Sequence, residues 1–80
     1  MEIREALKHF ILKDIMHNEK FKLKDDDSLI KGGLIDSWSL MQVGLFIEDE
    51  FGLKVPDSDL TVANMDNVEM IAAYVEARRQ

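Results

Sequence analysis

Cysteine is absent from the 80 residues. That excludes a disulfide framework, a thiolate zinc site and a cysteine nucleophile. It fits a reducing compartment, so a cytoplasmic setting is expected. Cations are scarce as well: ten Lys and Arg stand against sixteen Asp and Glu, for a net charge of −6. Nucleic-acid binding draws its affinity from neutralising phosphates, and so acidic a chain is poorly suited to it. The same sign disfavours docking on anionic membrane surfaces. No apolar run approaches the length that spans a bilayer. Glu2, Arg4, Glu5 and Lys8 interrupt the first ten residues, so no signal-peptide core is expected there.

What is present is ordinary for a globular protein: 46% hydrophobic and 32% charged residues place the chain outside the disordered class. Its length suits one small domain, residues 1–80, with a single core. The charge is unevenly spread. Residues 1–24 sum to +2, residues 25–69 to −9 and residues 70–80 to +1. Such a block is either a solvated surface or a docking face for basic partners.

Apolar residues at Ile3, Leu7, Phe10, Ile11 and Ile15 predict an amphipathic helix from Glu2 to about His17. Residues 18–36 lack periodicity and hold Asp25, Asp26, Asp27 and the Gly32-Gly33 pair, so they read as a long loop. A loop of that length in so small a domain is often functional. A second helix is predicted over Ser37–Phe51, capped by Asp36 or Ser37 and ended by Gly52. Pro56 breaks the following segment. A short helical turn is expected at Val62–Met65, with Thr61 as its cap. A last helix is expected from about Asn67 to Arg78, opened by a capping-box-like Asp66–Glu69 pair. No run shows strand alternation. The predicted architecture is all-α: a small antiparallel bundle of three longer helices and a short one.

At about 100° per residue, the second helix has two apolar faces. Leu40, Val43, Ile47 and Phe51 form the core stripe. Trp38, Met41 and Leu45 fall opposite, interleaved with Gln42, Glu48 and Asp49. One reading makes this second face a contact surface rimmed by acids. The other has Trp38 and Met41 covering the preceding loop, with Leu45 an isolated surface residue.

Self-contained catalysis finds little support. A serine nucleophile needs a base and an orienting group, and the two histidines, His9 and His17, lie on different faces of the first helix. Ser37 lies outside any G-x-S-x-G elbow. The aspartate runs miss the calcium-loop pattern. Two histidines without cysteine make a poor zinc site. The chain is therefore not expected to be an enzyme.

The stretch Gly33-Leu34-Ile35-Asp36-Ser37-Trp38 resembles the phosphopantetheine attachment site of acyl carrier proteins, an Asp-Ser pair at the start of the second helix. The resemblance covers nearly the whole chain. The first helix, the long loop, Phe46-Ile47-Glu48-Asp49-Glu50-Phe51-Gly52, the Val55-Pro56-Asp57 break, the short turn and the final helix with Tyr74 match in order. Asp59-Leu60-Thr61-Val62-Ala63-Asn64-Met65 is more similar to free-standing carriers of specialised pathways than to the housekeeping fatty-acid carrier. Trp38 replaces the usual Leu, Ser39 a frequent acid and Gln42 a common Glu, while Gly44 sits mid-helix at a cost of about 1 kcal/mol against Ala. These departures bear on which partner enzymes recognise the chain.

The resemblance implies that a phosphopantetheinyl transferase moves the 4'-phosphopantetheine arm of coenzyme A onto Ser37, supplying base and metal itself. Asp36 would neighbour the phosphate and serve in positioning or metal contact. Acyl intermediates of fatty-acid-like, polyketide or other specialised metabolism would ride on the arm as thioesters. Further implied partners are an acyl- or aminoacyl-activating ligase and synthases or transferases with basic docking patches. Trp38, Met41, Gln42, Leu45, Glu48 and Asp49 would form the docking face of a monomer. Two alternatives stand beside it: an aminoacyl or peptidyl carrier of a nonribosomal or cell-wall pathway, and an unmodified helical adaptor.

Overall fold

An acid ahead of an apolar stripe starts the first helix. A computed structural model of the chain describes residues 2–79. Helix α1 runs Ile3–Phe10, and the extended Glu2 accepts the Arg4 amide on its carboxylate. Ile3, Leu7 and Ile11 line one face and are buried. Beyond Phe10 the expected helix widens: Ile11–Ile15 is a π-helical turn. The Met16 and Asn18 amides reach back to the carbonyls of Ile11 and Leu12, both at 2.8 Å. His17, at φ 53°, takes the left-handed conformation that ends the helix there.

The long loop that follows is free of helix but is not structureless. Leu23, Leu29 and Ile35 drop from it into the core. Helix α2, Ser37–Phe51, then begins as expected, with the Asp36 carboxylate accepting the Ser39 amide at 2.8 Å. Gly52 ends it at φ 69°, a position that suits a residue without a Cβ. Leu40, Val43 and Ile47 are buried and Phe51 half-buried. Phe10 stacks on Phe46 at 4.3 Å, joining α1 to α2.

Pro56 leads into a 3-10 turn, Asp57–Asp59, and Thr61 caps the short α3, Val62–Met65. The last helix, α4, runs Val68–Arg78. Its start corrects the sequence expectation. Asn67, not Asp66, is the cap, and its Oδ1 accepts the Met70 amide at 2.7 Å. Glu69 pairs with Arg4 of α1 at 2.6 Å instead of closing a capping box. The Asp66 carboxylate turns away to bind the long loop.

Helix α1 lies against α4. Leu7, Ile11, Leu29, Val43, Ile47, Met65, Val68, Ile71 and Val75 are almost wholly removed from solvent. Each such side chain contributes roughly 1.5–3 kcal/mol relative to exposure. The architecture is the all-helical bundle expected, three longer helices and a short one, with no strand among the described residues. None of these helices is long and apolar enough to cross a membrane.

Candidate functional site

Ser37 is the first residue of α2 and is exposed. A helix start carries N–H groups without intrahelical partners and the positive end of the dipole, a setting that favours an anion. Asp36 precedes it. Hydrogen bonds from the Ser39 backbone, and then from its hydroxyl, hold the Asp36 carboxyl below the usual carboxylate value. Asp36 is therefore ionised at neutral pH and occupied with capping.

A depression of about 320 Å³ opens beside the serine, lined by Ser37, Trp38, Leu40, Met41, Asp57 and Leu60. A smaller one, about 100 Å³, continues along α2 between Met41, Gly44, Leu45, Glu48 and the facing Val55, Asp57 and Leu60. Met41, Asp57 and Leu60 belong to both, so the two form one shallow groove between α2 and the 55–60 segment.

Gly44 explains how close the far wall comes. It is buried, and a Cβ there would lie 3.1 and 3.2 Å from the two methyls of Leu60. The missing side chain lets Leu60 rest on the α2 backbone. The wall is tied down from α4. Asp59 accepts the Tyr74 hydroxyl at 2.5 Å and Arg78 Nη2 at 3.2 Å. The Arg78 guanidinium stacks over the Tyr74 ring, 4.3 Å from its centre. The Tyr74 hydrogen bond, reinforced by Arg78, keeps the Asp59 carboxyl low. Burial, with Asp59 beside it, pushes the Tyr74 phenol up.

The second apolar face of α2 is open to solvent: Trp38 is 68%, Met41 48% and Leu45 63% exposed. Trp38 and Met41 border the groove together with Asp57 and Leu60. The acids around them differ. Asp49 is exposed, whereas Glu48 is half-buried and its Oε2 accepts the Val55 amide at 2.8 Å. Glu48 thus ties α2 to the groove wall as well as carrying charge. Gln42 is half-buried and lines neither depression. Sequence reasoning missed Gly44, Asp57 and Leu60 as groove residues. Leu60 stands alone between polar neighbours, with no periodicity to mark it.

No family model matches the chain, and no solved structure matches it. Curated proteins do. An acyl carrier protein of Rhodococcus erythropolis is 33% identical over 66 residues, which is 82% of this chain and 70% of that protein. A D-alanyl carrier protein of Lacticaseibacillus casei is 32% identical over 66 residues, 82% of each chain. The meromycolate extension acyl carrier protein of Mycobacterium tuberculosis is 29% identical over 66 residues, and the match spans only 56% of its length.

Proposed function

The chain belongs to the acyl carrier protein family, and from that premise we propose that Ser37 bears the phosphopantetheine arm on which this carrier holds its cargo. The observation that carries the proposal is the placement of Ser37: an exposed hydroxyl at the start of α2, at one end of an apolar-walled groove. These surroundings suit the group. The helix start favours the phosphodiester, and Trp38, Met41 and Leu60 offer apolar surface beside it. The arm supplies a terminal thiol for thioester linkage, which the cysteine-free chain does not contain.

The chain's own part is to present one hydroxyl. The lining residues of the Ser37 depression include no histidine or lysine. On this reading proton abstraction falls to a phosphopantetheinyl transferase, with coenzyme A as donor in the cytoplasm. Asp36, ionised and capping the helix, holds the serine at the first turn and adds negative charge beside it. Cargo chemistry belongs to partner enzymes, a ligase that loads and synthases or transferases that unload. Trp38, Met41 and Leu45 give such partners apolar contact, and Asp49, with the remaining charge of Glu48, steers basic surfaces.

Incubation with coenzyme A and a promiscuous transferase, read by intact mass, tests the assignment. The expected result is a gain of one arm that disappears in Ser37→Ala. No gain, or a gain that survives the substitution, refutes it. The match to a D-alanyl carrier over 82% of both chains supports an aminoacyl cargo as a second reading. Loading by an amino-acid-adenylating ligase, against loading by an acyl-activating one, separates the two.

A further inference from the structure

Asp66 lies far along the chain from Ser37, yet its side chain is bound into the loop that leads to the serine. Its Oδ1 accepts the amides of Ile30 at 2.9 Å and Lys31 at 3.1 Å. Its Oδ2 accepts the Ser28 hydroxyl at 2.8 Å. Its backbone carbonyl accepts the Leu29 amide at 2.6 Å. Four successive loop residues are thereby held by one aspartate. The Leu29 side chain is fully buried, and its carbonyl accepts the amides of Leu34 and Ile35, both at 2.9 Å. Those two residues immediately precede Asp36. The turn between is tight: Ser28 Oγ accepts the Gly32 amide at 3.1 Å, and a Cβ on Gly32 would lie 2.2 Å from the Ser28 carbonyl oxygen. Hydrogen bonds thus run without a gap from the end of α3 to the cap of α2.

We propose that Asp66 is a positioning residue for arm attachment: its carboxylate holds Ser28, Ile30 and Lys31 on either side of Leu29, and so fixes the loop that presents Ser37 to the transferase. The proposal rests on Ser37 being the modified residue. Asp66 does not line the depression beside Ser37, so it acts only through the loop. A carboxylate suits the task because both oxygens accept and neither carries a proton. Burial works to raise the Asp66 pKa, but the Lys31 amide, the Ser28 hydroxyl and the Ile30 amide outweigh it and hold the group below its ordinary value.

Asp66→Leu leaves two amides and a hydroxyl without their acceptor. Asp66→Asn keeps one acceptor oxygen for Ile30 and Lys31. If the loop presents the serine only about one-tenth of the time, apparent affinity falls about tenfold while the bound complex reacts normally. The expected result for Asp66→Leu is therefore a KM for the carrier raised about tenfold with kcat retained, and Asp66→Asn restoring most of it. Amide exchange of the unmodified protein gives the independent readout. Leu34 and Ile35 should exchange faster in Asp66→Leu, while Ile71 to Val75 of α4 stay protected. Unchanged exchange at Leu34 and Ile35, or faster exchange with unchanged KM, overturns the proposal. Should α4 lose protection as well, Ser28→Ala, which removes only the two bonds of that hydroxyl, to Asp66 and from the Gly32 amide, decides: raised KM supports the proposal and unchanged KM overturns it. A transferase that leaves Ser37 unmodified in the wild-type chain removes the underlying reading, whereas the exchange result reports the loop alone.

Discussion

Replacing Gly44 with alanine sets two effects against each other. Glycine inside a helix costs about 1 kcal/mol relative to alanine, and Gly44 sits well within α2. The added methyl also leaves water, worth up to about 0.8 kcal/mol. Against this stand the two Leu60 methyls, 3.1 and 3.2 Å from where the Cβ would go. They must retreat by a few tenths of an ångström. Leu60 is half-buried and borders the open groove, so its side chain has room to swing outward. Forcing it off a rotamer would cost about 0.5–1.5 kcal/mol, but movement into open space costs less. The net expectation for Gly44→Ala is a gain of about 1 kcal/mol, or ~4–8 °C in the melting midpoint of a domain this size. Thermal unfolding followed by far-ultraviolet circular dichroism checks it. The same substitution in a Leu60→Ala background, where the obstacle is gone, should stabilise at least as much. A lowered midpoint in the wild-type background with a raised one in Leu60→Ala would show that Leu60 cannot move. That outcome refutes the reasoning.

Trp38→Ala should leave stability within about 0.5 kcal/mol, because the side chain is 68% exposed. It should nevertheless weaken binding to a loading ligase by tenfold or more, as expected of a tryptophan at an interface centre. Equal affinities by titration calorimetry would remove Trp38 from the docking face. The pH dependence of folding follows from Asp36, Asp59 and Asp66, all held below their ordinary value of 3.8. A depressed folded pKa contributes stability above the unfolded pKa and loses it as pH falls through the folded one. The urea midpoint should thus stay level from neutral pH to about 5 and fall below about 4. A midpoint that holds steady through the strongly acidic range would contradict these hydrogen bonds.

The helices that bury a regular stripe were legible in the sequence because local chemistry and tertiary packing agree there. Asp36, Gly52 and Thr61 cap where their types and positions suggest. Legibility fails where a distant residue decides. Asp66 and Asn67 both have capping side chains and sit side by side. The long loop claims the first, so the second caps α4. Gly44 reads as a defect in α2 until Leu60 is seen resting on it. The π-helical turn has no signature in the spacing of Ile11 and Ile15. At the site, the exposure of Trp38, Met41 and Leu45 was legible from helical phase, whereas Ser37 stood out only through the resemblance of its Asp-Ser pair to a carrier attachment site. The divided role of Glu48 was not, because its partner is the Val55 amide, a backbone group present at nearly every position.

Trp38 is the single tryptophan in the chain. It lies outside the core and next to Ser37, so its indole meets water whether the domain is folded or unfolded. Intrinsic emission is consequently a poor reporter of denaturation for this protein. What changes the indole's surroundings is whatever comes to rest at the mouth of α2. The indole is thus a built-in optical probe whose colour and anisotropy would follow any group or partner that settles beside it.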